Sequence, residues 1–126
     1  MPQKPPPARR RVLVVEDNAD TRESLSLVLS FSGFEVREAA DGADGLRQAL
    51  EWRPDAVVSD LGMPVMDGWE MARRLRGQLG GSVHLIAVSG FTQGPDRQRS
   101  LDAGFDHHLG KPIRPEELIA LLGQVA

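Results

Sequence analysis

The chain has 126 residues, which is enough for one domain with its own hydrophobic core. Its composition of 40% hydrophobic and 26% charged residues is typical of a globular protein, and the formal net charge of −3 gives no basic surface for nucleic acid. The absence of cysteine excludes disulfides and thiolate metal sites, and no apolar run approaches the ~20 residues needed to span a membrane.

The first ten residues are typical of a tail or linker. They contain four of the nine prolines, and a run of arginines follows at residues 9–11. We therefore expect residues 1–10 to be a solvated segment and residues 11–126 to form the folded domain. Because prolines stand where a signal peptide would have its apolar core, we expect a cytoplasmic location.

Strand and helix patterns alternate along the rest of the chain. Short apolar runs predict five strands, at residues 12–15, 34–39, 56–58, 83–88 and 105–109. A helix is predicted after each strand. The fourth helix, 95–103, has little apolar anchorage, whereas the last carries a regular stripe of Leu118, Leu121, Leu122 and Val125. Five such units predict an α/β fold, a parallel sheet with helices on both faces.

Polar side chains follow four of the five predicted strands. Glu16 and Asp17 follow the first strand, Asp60 the third and Ser89 the fourth, and Lys111 lies just past the fifth. Parallel strands end at the same edge of a sheet. In a flavodoxin-like, doubly wound sheet of order 2-1-3-4-5, the first and third strands are neighbours at the switch point, where such sheets bind ligands. We therefore expect Asp17 to face Asp60.

Three crowded carboxylates would repel one another without a counter-charge. A hard divalent cation removes this repulsion, and Mg²⁺ typically takes one or two carboxylates, waters and a phosphate oxygen. A backbone carbonyl from the turn, at Gly62, can complete the ligand set. With Lys111 supplying a positive charge and Ser89 a hydroxyl donor, the site predicts stabilisation of a phosphoryl group on Asp60.

The chain resembles the receiver domain of bacterial two-component response regulators. The resemblance covers about residues 11–126 and rests on Glu16-Asp17, on Asp60-Leu-Gly-Met-Pro-Val-Met-Asp-Gly68, on Ser89-Gly90 and on Lys111-Pro112. It implies a signalling module, not an enzyme with an outside product. Its Asp60 would accept phosphate, with Mg²⁺, from a phosphohistidine on a histidine kinase or a histidine phosphotransfer protein.

The resemblance also implies individual roles. Asp17 and the Gly62 carbonyl would bind the metal directly and Glu16 through water, while Ser89 and Lys111 would hold the phosphoryl oxygens. The peptide bond before Pro112 is expected to be cis.

Three positions depart from the family pattern. Glu16 replaces a more frequent aspartate, His108 occupies the place of an aromatic switch residue, and Gly110 stands where a larger apolar residue is common. His108 is a candidate switch, with a plain surface histidine as the alternative. The sequence at 104–109 is most similar to receivers attached to hybrid histidine kinases. We expect partner contacts, and a candidate homodimer surface, on the fourth helix, the fifth strand and the final helix.

Other functions fit the sequence less well. An aspartyl-phosphate phosphohydrolase usually has a second aspartate where this chain has Gly62. No G-x-G-x-x-G follows the first strand, and proline follows Gly110-Lys111 where a P-loop requires serine or threonine. A phosphorylation-independent docking module of the same fold remains the alternative, although the retained acids, Ser89 and Lys111 favour phosphorylation.

Four further residues receive structural interpretations. Asp67 is predicted to be the N-cap of the third helix. Trp69 is interpreted as a surface or partner-contact residue rather than part of a cofactor site. His107 and His108 are adjacent in a strand, so they point to opposite faces and make a poor zinc pair.

Overall fold

The computed structural model describes residues 10–90 and 94–124 of the chain. Their strands are β1 (Arg11–Val15), β2 (Glu35–Ala39), β3 (Ala56–Ser59), β4 (His84–Ser89) and β5 (His107–Gly110). Their helices are α1 (Ala19–Phe31), α2 (Gly42–Trp52), α3 (Gly68–Leu79), α4 (Gly94–Ala103) and α5 (Pro115–Leu122), with a short 3-10 turn at Gly80–Ser82. The predicted tail, apart from Arg10, and Val125 of the predicted final stripe lie outside the described residues.

The five strands form one parallel sheet in the order β2-β1-β3-β4-β5, which confirms the predicted fold class and strand order. Val15 at the end of β1 pairs with Ala39 on one side and with Ser59 on the other. Ser89 at the end of β4 pairs with Gly110 of β5. The carboxyl ends of these strands therefore stop at the same edge of the sheet.

Hydrophobic layers cover both faces of the sheet. One layer joins strand residues such as Leu13 and Val57 to side chains of α2, α3 and α4, and the other joins Val14 and Val58 to α1 and α5. Successive strand residues point to opposite faces, so a strand covered on both sides is apolar throughout. No helix in the described part of the chain combines the length and apolarity that crossing a membrane would require.

The helices after β1, β2 and β3 begin at capping side chains. Asn18, Asp41 and Asp67 each accept a hydrogen bond from the backbone N–H three residues further along, so the predicted N-cap at Asp67 is confirmed. Such a cap satisfies one of the unpaired N–H groups of a helix start. Each cap also fixes where the chain turns after a strand, at the edge where the predicted site residues lie.

The fifth strand begins two residues later than predicted. Phe105 is buried, but its N–H donates to the carbonyl of Ser100 in α4 at 3.0 Å and does not join the sheet. Gly104, with a φ of 111°, turns the chain between the helix and this residue. Phe105 therefore anchors the α4–β5 turn. A buried apolar side chain is expected both in a strand and in such an anchor, so the sequence pattern alone did not separate the two.

Trp69 is buried, so the prediction of a surface or partner-contact residue is wrong. Its side chain is 6% exposed, and its indole Nε1 donates to the Ser100 hydroxyl at 3.3 Å. The guanidinium of Arg99 lies 3.7 Å from the centroid of a Trp69 ring. Within residues 95–103, only Ser100 and Ala103 are buried, as the weak apolar pattern of this helix predicted. Trp69 is therefore a main support of α4.

Candidate functional site

Three carboxylates meet at the edge where β1 and β3 end. One oxygen from each of Glu16, Asp17 and Asp60 lies within 4.8 Å of the others. The Glu16 side chain is 5% exposed and that of Asp60 is 15% exposed, whereas Asp17 is open to solvent. The structure thus assembles the predicted acidic cluster, with its most accessible member at the rim.

Backbone hydrogen bonds to neighbouring strands hold Glu16 and Asp60 in place. The Asp60 N–H donates to the Val15 carbonyl at 2.9 Å, and the Glu16 N–H donates to the Ala39 carbonyl at 3.0 Å. The Asp60 Oδ1 accepts from the N–H of Leu61 at 2.7 Å, which orients the carboxylate. Asp60 therefore has both its main chain and its side chain fixed at the end of β3.

Lys111 brings a positive charge into the cluster. Its Nζ lies 3.0 Å from Glu16 Oε1 and 3.4 Å from Asp60 Oδ2. The Lys111 N–H also donates to the carbonyl of Ser89 at 2.9 Å, and the Lys111-Pro112 peptide bond is cis, as expected. The structure therefore brings the predicted lysine into direct contact with two of the three acids.

Ser89 and Gly62 lie at the same edge as the acids. Ser89 is the buried last residue of β4. Gly62 is exposed, two residues past Asp60 in the turn that leads to α3. The roles of the Ser89 hydroxyl and of the Gly62 carbonyl remain predictions.

Burial and crowding change how two of the groups ionise. Burial raises the pKa of Glu16 to about 7, and the neighbouring Asp60 carboxyl raises it as well, while Lys111 opposes the change. Burial would lower the pKa of Lys111, but its hydrogen bond to Glu16 and the charges of Asp60 and Glu16 outweigh this effect and raise it. Lys111 is therefore a cation at neutral pH, facing an excess of negative charge.

The donor atoms suit a hard divalent cation. All three side chains offer carboxylate oxygens, the ligands that such cations prefer. One of these atoms, Glu16 Oε2, is buried and accepts no hydrogen bond from the part of the chain that the structure describes. A buried acceptor without a partner is costly, so a ligand that satisfies it would stabilise the cluster.

The two adjacent histidines of β5 point to opposite faces of the sheet, as predicted. His108 pairs with Ala87, a residue of the α2–α3–α4 layer, and is 8% exposed. His107 is less buried, and its ring centroid lies 5.1 Å from that of His84. His108 is thus a packed residue and not a plain surface histidine, while its role as a switch remains a prediction.

Sequence reasoning did not identify Arg22 as part of this region. Its Nη1 donates to the Glu16 carbonyl at 2.9 Å, and its Nε lies 3.5 Å from Glu38 Oε1. A lone arginine among polar helix residues looks like an ordinary solvated charge. The available signal was its position near the start of the helix that follows the acid pair.

Comparison with known proteins agrees with this geometry. The family model of the response regulator receiver domain matches residues 12–123. The chain therefore belongs to the response regulator receiver domain family, whose members are phosphoacceptor signalling domains of two-component systems.

Two curated relatives illustrate the family. Transcriptional regulatory protein PrrA of Mycobacterium leprae is 46% identical over 110 residues, which cover 87% of this chain and 47% of PrrA. Response regulator MprA of Mycobacterium tuberculosis is 43% identical over 110 residues, with the same coverage of both chains. The chain thus spans about half the length of the curated relatives it matches.

Solved structures show the same likeness. Chemotaxis response regulator CheY4 of Vibrio cholerae is 32% identical with a TM-score of 0.86, covering 94% of this chain and all of that one. The signal receiver domain of a histidine kinase from Syntrophus aciditrophicus is 29% identical with a TM-score of 0.83, covering 92% of this chain and 89% of that one. The family prediction is confirmed, while the finer likeness to receivers of hybrid kinases remains a prediction.

Proposed function

We propose that Asp60 accepts a phosphoryl group from a phosphohistidine on a histidine kinase or histidine phosphotransfer protein, in a reaction that requires Mg²⁺. The observation that supports this most is the position of Lys111, 3.0 Å from Glu16 and 3.4 Å from Asp60 within a cluster of three carboxylates. An acid that only ends a strand needs neither a paired lysine nor two further acids beside it. Such a partner implies a cytoplasmic location.

The positions of the three acids favour Asp60 as the acceptor. Glu16 is nearly sealed from solvent, which leaves a phosphoryl donor little access to its carboxylate. Asp17 lies at the open rim of the cluster. Asp60 has an orientation fixed by Leu61, contacts Lys111 and keeps some solvent exposure. It therefore combines access with a defined direction of attack.

The transfer replaces the phosphorus–nitrogen bond of the phosphohistidine by a phosphorus–oxygen bond to Asp60. An Asp60 carboxylate oxygen attacks phosphorus, and the phosphorus–nitrogen bond breaks, leaving its electron pair on the departing imidazole, which then takes up a proton. Lys111 neutralises charge on the phosphoryl oxygens, and the Ser89 hydroxyl donates a hydrogen bond to one of them. Mg²⁺ held by Glu16, Asp17, Asp60 and the Gly62 carbonyl would offset the charge that the phosphoryl group adds.

The signal would leave through the face formed by α4, β5 and α5, which is also the candidate homodimer surface. A backbone hydrogen bond links the Lys111 N–H to the Ser89 carbonyl, and Lys111 follows β5 directly. A phosphoryl group that draws Ser89 inward would change the packing of this face, where α4 has few buried residues. His108, buried beneath the same face, is the candidate switch.

Phosphorylation with a matched control tests the proposal. The chain is incubated with Mg²⁺ and acetyl phosphate, or with a phosphorylated kinase, and bound phosphate is measured by intact mass. We expect an acid-stable, base-labile phosphate on the wild type and none on Asp60→Asn. Asp67→Asn makes the same chemical change seven residues away, where asparagine still caps the helix, and should keep the phosphate.

Two outcomes of the phosphorylation experiment would contradict the proposal. A wild-type chain that takes no phosphate from any donor would reject the proposal and leave the docking module of the same fold as the better account. A phosphate that persists in Asp60→Asn would move the acceptor to another residue.

A further inference from the structure

The two acids after β1 lie in a short connection with few backbone restraints. The ladder ends at Val15, and α1 begins at Ala19, so Glu16 and Asp17 belong to neither element. The Glu16 N–H donates a hydrogen bond to the carbonyl of Ala39, the last residue of β2. On the other side of the residue, the Glu16 carbonyl accepts a hydrogen bond from Arg22 Nη1 at 2.9 Å.

Arg22 is itself held from a second direction. Its Nε lies 3.5 Å from Glu38 Oε1 on β2, and its side chain is only 19% exposed. A guanidinium is planar, and its donors form a rigid fork. Contacts with acceptors on two different segments therefore fix both its position and its orientation.

The hydrogen bond from Arg22 acts on the peptide group that links Glu16 to Asp17. A peptide group is planar, so fixing the carbonyl oxygen of Glu16 also fixes the nitrogen of Asp17. The other two acids are held by their own side-chain contacts with Lys111. Asp17 is exposed, and the placement of its carboxylate depends on the backbone that carries it.

We propose that Arg22 is a positioning residue for the metal site: through the Glu16 carbonyl it sets the direction of Asp17, and Glu38 holds the guanidinium in place. The inference rests on the proposed function, because it assumes that the acidic cluster binds Mg²⁺. It assigns a part in that function to Arg22, which lies outside the acidic cluster, and to Glu38 on β2.

Charge and positioning predict opposite effects when Arg22 is removed. A positive side chain near the cluster repels a divalent cation, so loss of charge alone would tighten Mg²⁺ binding. Loss of an outer residue that orients a metal ligand weakens binding, typically by about 10- to 100-fold. The sign of the change therefore distinguishes the two roles.

Titration calorimetry with MgCl₂ on the whole chain tests the proposal. We expect Arg22→Gln to weaken Mg²⁺ binding by about tenfold or more, and Arg22→Lys to recover part of the loss because an ammonium still offers one donor to the carbonyl. Arg47→Gln removes the same charge from α2, where Arg47 pairs with Asp44 and Glu51, and should bind like the wild type. Circular dichroism verifies that each variant is folded.

Equal or tighter binding by Arg22→Gln overturns the proposal, and so does a loss that lysine does not relieve. If Arg22→Gln does not fold, Glu38→Asp replaces it, since that variant keeps both charges but shortens the side chain that holds the guanidinium. Weaker Mg²⁺ binding by Glu38→Asp then supports the proposal, and unchanged binding overturns it. A wild-type chain that fails to bind Mg²⁺ rejects the proposed function itself, which separates the two failures.

Discussion

At the scale of single residues, the site holds more negative than positive charge. Lys111 contacts Glu16 and Asp60, and Asp17 adds a third carboxylate at the rim. The buried Glu16 responds with a pKa of about 7. In the absence of a metal, part of the imbalance is therefore relieved by a proton, which links the stability of the protein to pH.

This link predicts a decrease in stability as pH rises. Glu16 has a pKa of about 7 in the folded protein against an ordinary value of 4.5, so the folded state binds the proton more tightly than the unfolded state. The stabilisation is fully present below pH 4.5 and is lost as pH rises through 7. In urea denaturation without Mg²⁺, the free energy of unfolding should fall between pH 5 and 8, and fall less in Glu16→Gln. Parallel pH profiles for the two proteins would contradict the assignment.

Val65 is a second residue at which a substitution should change the stability of the protein. It has a φ of 69° and is 84% exposed, in the turn between Asp60 and α3. The Met66 N–H donates to the Pro64 carbonyl at 2.8 Å, which closes a three-residue turn centred on Val65. A β-branched side chain is strained in such a turn at positive φ, whereas glycine, which has no Cβ, adopts positive φ freely.

We therefore expect Val65→Gly to raise the free energy of unfolding by about 1 kcal/mol. Relief of about 1–3 kcal/mol of backbone strain exceeds the entropic cost of glycine, about 0.5–1 kcal/mol, and little packing is lost at so exposed a position. Chemical denaturation at one pH measures the change. Unchanged or lower stability would show that the turn holds valine without strain.

At the scale of elements, the start of α3 is packed directly against the end of β3. A Cβ built on Gly68 would lie 2.3 Å from the Asp60 carbonyl oxygen, closer than real atoms approach. The Gly68 N–H also donates to the Leu61 carbonyl at 2.8 Å. The helix and the site can therefore be this close only because the residue lacks a side chain.

Gly68→Ala should destabilise the protein by about 1–3 kcal/mol, because backbone on both sides of the contact must move. It should also slow phosphorylation of Asp60. Gly77→Ala is the matched control in the same helix, since nothing lies within 4 Å of its added Cβ, and it should leave stability equal or higher by up to about 1 kcal/mol. If both variants lost a similar amount of stability, the loss would come from adding a side chain anywhere in α3 and not from the contact at Gly68.

At the scale of the whole molecule, what could be predicted from the sequence depended on local patterns. The five strands, the edge that collects the acids and the cap at Asp67 follow from apolar runs, strand ends and capping residues, all of which are local. The strand order comes from the doubly wound fold that such an alternation matches. The contacts of Arg22 and Trp69 involve partners in other elements, Glu38 and Ser100 among them. Side-chain periodicity cannot show such contacts, because they exist only once the helices are packed on the sheet.

The burial of Trp69 against α4 has an optical consequence. The chain has two tryptophans, and in Trp52→Phe all indole emission would come from the ring that touches Ser100 and Arg99. If phosphorylation of Asp60 repacks α4, acetyl phosphate with Mg²⁺ should change the wavelength or intensity of this emission, and should not do so when Asp60→Asn is added. A constant spectrum in a chain shown to be phosphorylated would exclude movement at this contact. The protein thus carries its own fluorescent reporter, placed under the helix whose displacement is in question.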